Sequence, residues 1–260
     1  MTGLVKELYA YRSMISNLVR RDLRGRYKGS LLGFLWNFIL PLIQILVYIM
    51  VFTIVFRQNI EHYYIYLIVG MVPWMMFSDS LSCGAGSVVE NSSLVSKIYF
   101  PRIIIPISVV ISKTINFFIS MAIAFVVIGV GGHGFAALPL LTLPIAILFL
   151  FVFSLGLAMA CAALNVFMRD VQYLVSVLLM VYIWLTPIMY VKDFVENDLF
   201  VRMLELNPLT YIIGLFQDIL YWKVVPTLLE FLEATAIAFA ALAIGVYVYD
   251  RMSADFAEVL

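Results

Sequence analysis

The residues able to do acid–base, nucleophilic or metal chemistry are few and scattered. The two histidines, His62 and His133, fall in separate turns between apolar runs and open no H-E-x-x-H pattern, so they read as solvated loop residues rather than metal ligands. Cys83 and Cys161 are isolated in apolar surroundings and read as small core residues, with no disulfide framework or metal-binding spacing. No nucleophile with a base, paired carboxylates or set of metal ligands stands out as an intramembrane catalytic constellation. A G-x-x-x-x-G-K-[ST] phosphate loop is absent from the sequence, so any use of ATP falls to another polypeptide. The chain is therefore expected not to be an enzyme and to hold no metal. Two charges do stand out because they interrupt long apolar runs, Asp79 and Lys113. A charge in hydrocarbon costs about 2.5–3.5 kcal/mol or more, which makes each a functional candidate by default. Asp79 lacks the chain of ionisable groups that a proton relay needs, and the structural reading for it is an interhelix hydrogen bond. Lys113, about three turns from one end of its run, is expected to snorkel toward headgroups.

The elements that carry these residues are set by composition. Of 260 residues, 64% are hydrophobic and only 12% charged, and the mean hydropathy is +1.05; ordinary soluble domains carry about 25% charged residues. The 16 Lys and Arg balance the 16 Asp and Glu, which gives no case for nucleic-acid binding. Uncharged runs long enough to cross a bilayer predict an all-α integral membrane protein of six transmembrane helices, at about 31–56, 63–89, 104–130, 138–165, 171–191 and 226–249. Pro41, Pro73 and Pro187 should kink or break the runs that contain them, and Gly131-Gly132-His133-Gly134 supplies a turn inside a run too long for one span. Residues 1–28 are too charged for a secretory signal and read as an amphipathic helix in the membrane plane. Leu4, Leu8, Tyr11, Ile15 and Leu18 recur on one face, and Lys6, Ser13, Asn17, Arg20 and Arg24 on the other. Residues 192–223 are mixed and read as short external helices dipping into the interface, and 251–260 as a polar tail.

Basic residues orient this plan. With both termini inside, the cytoplasmic segments hold seven Lys or Arg in residues 1–28 and also Lys97, Arg102, Arg169 and Arg251, whereas the external segments hold Arg57, Lys192, Arg202 and Lys223. The protein is thus expected to be a multi-pass membrane protein with cytoplasmic termini. Its 20 Phe, 15 Tyr and 4 Trp exceed what two interfacial belts require. Trp36, Tyr48, Trp74, Phe77, Tyr182, Trp184 and Tyr190 lie within spans and could line a pathway along which a sugar polymer slides.

Motifs in chain order then carry a resemblance. RDLRGRYKGSLLGFLWN from Arg21 to Asn37, GMVPWMMFS from Gly70 to Ser78, LVSKIYFPR from Leu94 to Arg102, LNVFMRDVQY from Leu164 to Tyr173, LTPIMY from Leu185 to Tyr190 and LNPLTY from Leu206 to Tyr211 together resemble the permease subunits of ABC type 2 polysaccharide, O-antigen and teichoic acid exporters. The resemblance implies a half-transporter that forms a homodimer and binds two copies of a separate ABC ATPase, which would hold ATP and Mg. It implies docking through the amphipathic helix, the cytoplasmic segment 91–100 and a second small turn, that is through Arg21, Asp22, Arg24, Leu94, Lys97, Tyr99, Phe100, Arg169 and Asp170. It also implies an undecaprenyl-diphosphate-linked glycan as substrate, its diphosphate met by Arg20, Arg21, Arg24, Arg26 and Lys28, charges that would also attract membrane lipids. The alternative within transport is a type 2 exporter of small drugs or free lipids. Asp79 and Lys113 depart from the family pattern.

Overall fold

The computed structural model describes residues 9–25, 39, 43–44, 46–48, 50–51, 61–97, 100–192 and 197–259. Most of the span expected at 31–56 lies outside them, as do Arg26, Lys28, Trp36 and Tyr99 and the side chains of Arg24 and Lys97. Within the described residues every regular element is a helix. Helix α1 is Arg12–Gly25, α2 Tyr63–Glu90, α3 Ser92–Lys97, α4 Ile104–Val130, α5 Ala137–Leu140 and α6 Leu143–Phe167. Helix α7 is Val171–Tyr182, α8 Asp198–Leu206, α9 Pro208–Gln217 with a π turn Asp218–Trp222, α10 Leu228–Ser253 and α11 Phe256–Val259.

Among the described residues, four stretches are long and apolar enough to cross a membrane: α2, α4, α5 with α6, and α10. At about 1.5 Å per residue, the 27 residues of α4 reach about 40 Å, ample for about 30 Å of hydrocarbon. Helix α8 and the segment Pro208–Trp222 meet at 86° and make a fifth crossing only if counted as one broken span. The fifth predicted run departs most from expectation. Helix α7 has 12 residues and stops at Tyr182, about 18 Å of helix, because the chain turns irregular ahead of Pro187.

The helices sort by what surrounds them. Helix α2 is apolar on all faces, with 78% of its best membrane window buried within the chain, whereas α4 and α10 bury only 28% and 22% and turn most of their surface to lipid. Helix α6 lies between α2 and α10, and glycines let the backbones meet. A Cβ on Gly156 would stand 2.4 Å from the Ala241 carbonyl, and one on Gly245 would stand 2.0 Å from the Gly156 carbonyl oxygen. On the other side, a Cβ on Gly84 would lie 2.8 Å from that of Ala158. Small residues pack helices in lipid because there is no apolar transfer energy to gain between them, only close contact. The start of α10 is fixed separately by a capping box. Thr227 Oγ1 accepts from the Glu230 N–H at 3.3 Å, and the Thr227 N–H donates to Glu230 Oε2 at 2.6 Å.

Gly245→Val is therefore expected to cost about 1–3 kcal/mol or more through overpacking against the α6 backbone. Gly214→Ala, with open space around its Cβ position, should be neutral. Thermal denaturation of both variants in detergent checks the difference.

Candidate functional site

The chemistry of the chain gathers at its two ends. At the end opposite α1, the irregular segment after α7 brings unpaired carbonyls into an apolar setting, and side chains from three other elements take them up. Asn207, 5% exposed, donates through Nδ2 to the Leu185 carbonyl at 2.7 Å and to Thr186 Oγ1 at 2.9 Å. Its Oδ1 accepts from the Tyr182 hydroxyl at 2.5 Å and from the Leu209 N–H at 2.9 Å, which also caps α9. The Pro187 carbonyl accepts from Gln217 Nε2 at 2.8 Å and, at 3.1 Å, from the Tyr66 hydroxyl, which lies 3.0 Å from the Tyr190 carbonyl as well. Tyr63 donates to the Met189 carbonyl at 2.7 Å, and Tyr190 donates to that of Trp184 at 2.7 Å. Non-helical backbone at membrane depth persists only under such internal satisfaction. Tyr63, Tyr66 and Gln217 were not singled out by sequence. The readable signal was polar groups in apolar runs beside a run broken by Pro187.

The same end holds the two histidines, and they are not separate solvated residues. Their rings lie 5.6 Å apart, both are half-buried, and His133 stacks on Tyr221 at 5.3 Å. His133 Nε2 is 2.8 Å from the Tyr221 carbonyl, the Tyr221 hydroxyl donates to the Glu61 carbonyl at 2.5 Å, and Lys223 donates to the His133 carbonyl. Three turns are thereby fastened together by contacts that link positions 70 or more apart, which is why local sequence did not show them.

The aromatic set divides. Trp74 and Phe77 are 5% and 1% exposed and pack with Tyr182, each at 6.1 Å, and Phe77 packs on Phe153 at 5.5 Å. Rings enclosed in this way offer no face to a passing chain, so the pathway expectation does not hold for Trp74 and Phe77 in this conformation; they shape the core behind α7. Trp184 is 49% exposed, Tyr190 is half-buried against Phe200, and Tyr48 accepts from Gln44 at 3.0 Å. Helix α7 buries only Val175 and Leu179, leaving Leu174, Val177, Leu178 and Val181 uncovered by this chain.

At the other end a second apolar cluster forms, distinct from the main core. Leu18 of α1 joins Val88, Val95, Phe100, Ile104, Met159 and Phe256, with Tyr11, Met14 and Ile15 packed against them. Helix α1 covers its apolar residues and exposes Arg12, Ser13, Ser16, Asn17, Arg20 and Arg21, as its pattern requires. Arg21 donates to Asn91 Oδ1, and the next residue, Asp22, takes Lys113 Nζ at 2.9 Å and the Ser112 hydroxyl at 2.5 Å. Lys113 is 1% exposed, so it does not snorkel; its charge is met in place by a carboxylate from α1. Removing one partner of a buried pair costs about 3–5 kcal/mol, less here because about a third of the Asp22 side chain faces outward. Asp79 is exposed on α2, near Ser78 and Ser82. Phe100, 5% exposed, anchors its segment inside the cluster instead of standing on a docking surface. Leu94 is partly buried beside it, and Arg169 and Asp170 are exposed with Met168. Arg102 bonds the Ser253 carbonyl and stands 6.0 Å over the Phe256 ring, which ties α11 to the same end.

Comparison with known sequences decides what kind of molecule has these two ends. The profile of the family described as ABC-2 type transporter matches residues 14–221. The chain belongs to the ABC-2 type transporter family. The family suggested by the six motifs is thus the one the whole sequence supports. A protein of Myxococcus xanthus named O-antigen export system permease protein RfbA is 34% identical over 259 residues, 99% of each chain. One of Klebsiella pneumoniae with the same name is 28% identical over 244 residues, 94% of this chain and 93% of that one. As an ABC-2 permease the chain is a transport component, and the features to explain are a broken helix at one end and a clamped amphipathic helix at the other.

Asn207→Leu strips partners from Tyr182 and Leu185 and should cost about 1–3 kcal/mol for each group left unpaired. Gln217→Leu should cost less, because Tyr66 still reaches the Pro187 carbonyl. Melting temperatures of the purified variants give the ranking, and equal losses would contradict it.

Proposed function

We propose that this ABC-2 permease is the membrane half of an ATP-driven exporter that carries a lipid-linked polysaccharide of the O-antigen, capsule or teichoic acid type across the bacterial inner membrane. The observation that carries the reading is identity along 99% of a chain named for O-antigen export, joined to the family match. The supporting geometry is the division of labour between ends. Two copies pair through the uncovered face of α7 and the first span, with two copies of a separate ATPase beneath. A six-span topology would put α1 and both termini in the cytoplasm, and the distribution of Lys and Arg along the sequence supports that orientation.

In this reading the exposed side of α1, with Arg20 and Arg21, and the turn at Arg169 and Asp170 receive the ATPase, which binds ATP and Mg. Arg20, Arg21, Arg24, Arg26 and Lys28 meet the undecaprenyl diphosphate at the inner headgroup level. The glycan threads along α2 and α7, past Ser78, Asp79, Ser82 and Trp184, and the segment from Ile183 to Trp222 closes the outer end. Two hydroxyls and one indole face suit a polymer that must slide, and the Asp79 carboxylate is the one group on this path able to hold a sugar hydroxyl firmly.

Deleting this subunit in cells that still make their surface glycan should leave lipid-linked polymer on the cytoplasmic side and clear it from the surface. Unchanged surface polymer would sink the reading and favour an exporter of small drugs or free lipids, which amphiphile-stimulated ATPase activity would then reveal. Arg169→Glu combined with Asp170→Arg, at exposed positions that the fold does not use, should weaken co-purification with the ATPase roughly tenfold, the effect of about 1.4 kcal/mol at an interface.

A further inference from the structure

Lys113 has no need of α1 for solubility in the membrane if it can reach headgroups, yet the structure turns it inward. Its ammonium group is buried against α1, nine positions into α4, and its counter-charge comes from a different element. The carboxylate is also oriented by a second bond, from Ser112. The neighbouring Arg21 reaches the other way, to Asn91 at the end of α2. Two consecutive residues of α1 therefore grip two different membrane helices, one at the surface and one about 14 Å along its axis.

We infer that the Asp22–Lys113 pair is the link through which α1 displaces α4, so that Asp22 and Lys113 are positioning residues for transport. The argument is physical. An apolar contact such as that of Leu18 lets helices slide at little cost, because one apolar neighbour replaces another. A charge pair does not permit this: if α1 shifted alone, Lys113, which is 1% exposed, would stay buried without its counter-charge. Helices α1 and α4 must then move as one body over the range in which the pair holds. A partner pressing on the exposed face of α1 thus acts on α4 well inside the membrane, where its motion bears on the neighbouring α2. The inference rests on the ATPase-driven reading above and names the connection that this reading leaves open.

The test uses the full permease with its ATPase in cells and in membranes prepared from them, reading surface polymer and ATP hydrolysis for each variant. Asp22→Asn with Lys113→Met removes both charges and orphans neither, so polymer exported per ATP hydrolysed by the assembled complex should fall at least roughly fivefold. Asp22→Glu, which keeps the pair, should retain the wild-type ratio. A neutral double variant with an unchanged export-to-ATPase ratio would overturn the inference and leave the exporter reading intact. A wild-type complex that hydrolyses ATP without moving polymer would overturn both.

Discussion

A carbonyl group in hydrocarbon has no water to turn to, and the break after α7 introduces several of them at once. Everything at that end of the molecule answers this constraint. Asn207 serves the break with both ends of its amide and at the same time starts α9, so the bend between α8 and α9 and the end of α7 are set by a single side chain. Tyr63 and Tyr66 place their hydroxyls at the break from the first turn of α2, which binds the most buried helix of the chain to its least regular segment. Such an arrangement is costly to half-dismantle, since each lost donor strands an acceptor. The arrangement is therefore held as a whole or lost as a whole.

Between the two ends the structure is stiff for a different reason. Gly156 and Gly245 allow backbones to touch where side chains would otherwise cushion them, and Gly84 does the same toward α2. Contacts between backbones have no rotamers to relax, so α2, α6 and α10 transmit displacement with little loss. The second apolar cluster joins this unit to α1, α3 and α11 through Val88, Met159 and Phe256. Across that apolar junction the Asp22–Lys113 pair adds a charge contact that fixes α1 against α4.

Much of this was legible in the sequence, and the rest failed for identifiable reasons. Hydropathy located the apolar runs, and the spacing of Tyr11, Ile15 and Leu18 against Ser13, Asn17 and Arg20 described α1 well, because a surface helix declares its faces through polarity. Helices α2 and α6 are apolar all round and declare none. Trp74 and Phe77 thus looked equally fit for a pathway or a core, and only packing against Tyr182 and Phe153 assigns them to the core. Lys113 was read as snorkelling because its counter-charge lies about 90 residues away, on α1. The pairing of His62 with His133 through Tyr221 was hidden in the same way. Pro187 was recognised as a disturbance, but the length of the break depends on how many donors the neighbours supply, and Gln217 and Asn207 lie in a segment whose mixed composition gave no face to read.

The placement of charge along the membrane axis follows from these assignments. Of the two charged residues deep inside the predicted spans, Lys113 faces α1 and Asp79 is exposed on α2, as is Ser82 one turn on. Helix α7, the neighbour of that face, turns Val177, Leu178 and Val181 outward, with Trp184 at the end nearest the break. A conduit formed there would have one weakly polar wall and one aliphatic wall. Neither wall provides the closely spaced donors and acceptors that fix a sugar in a binding site, whereas together they avoid the cost of stripping a hydroxyl-rich chain of all its water. Under the proposed export of a glycan, tight binding would oppose passage, and a wall of this kind would favour movement over capture.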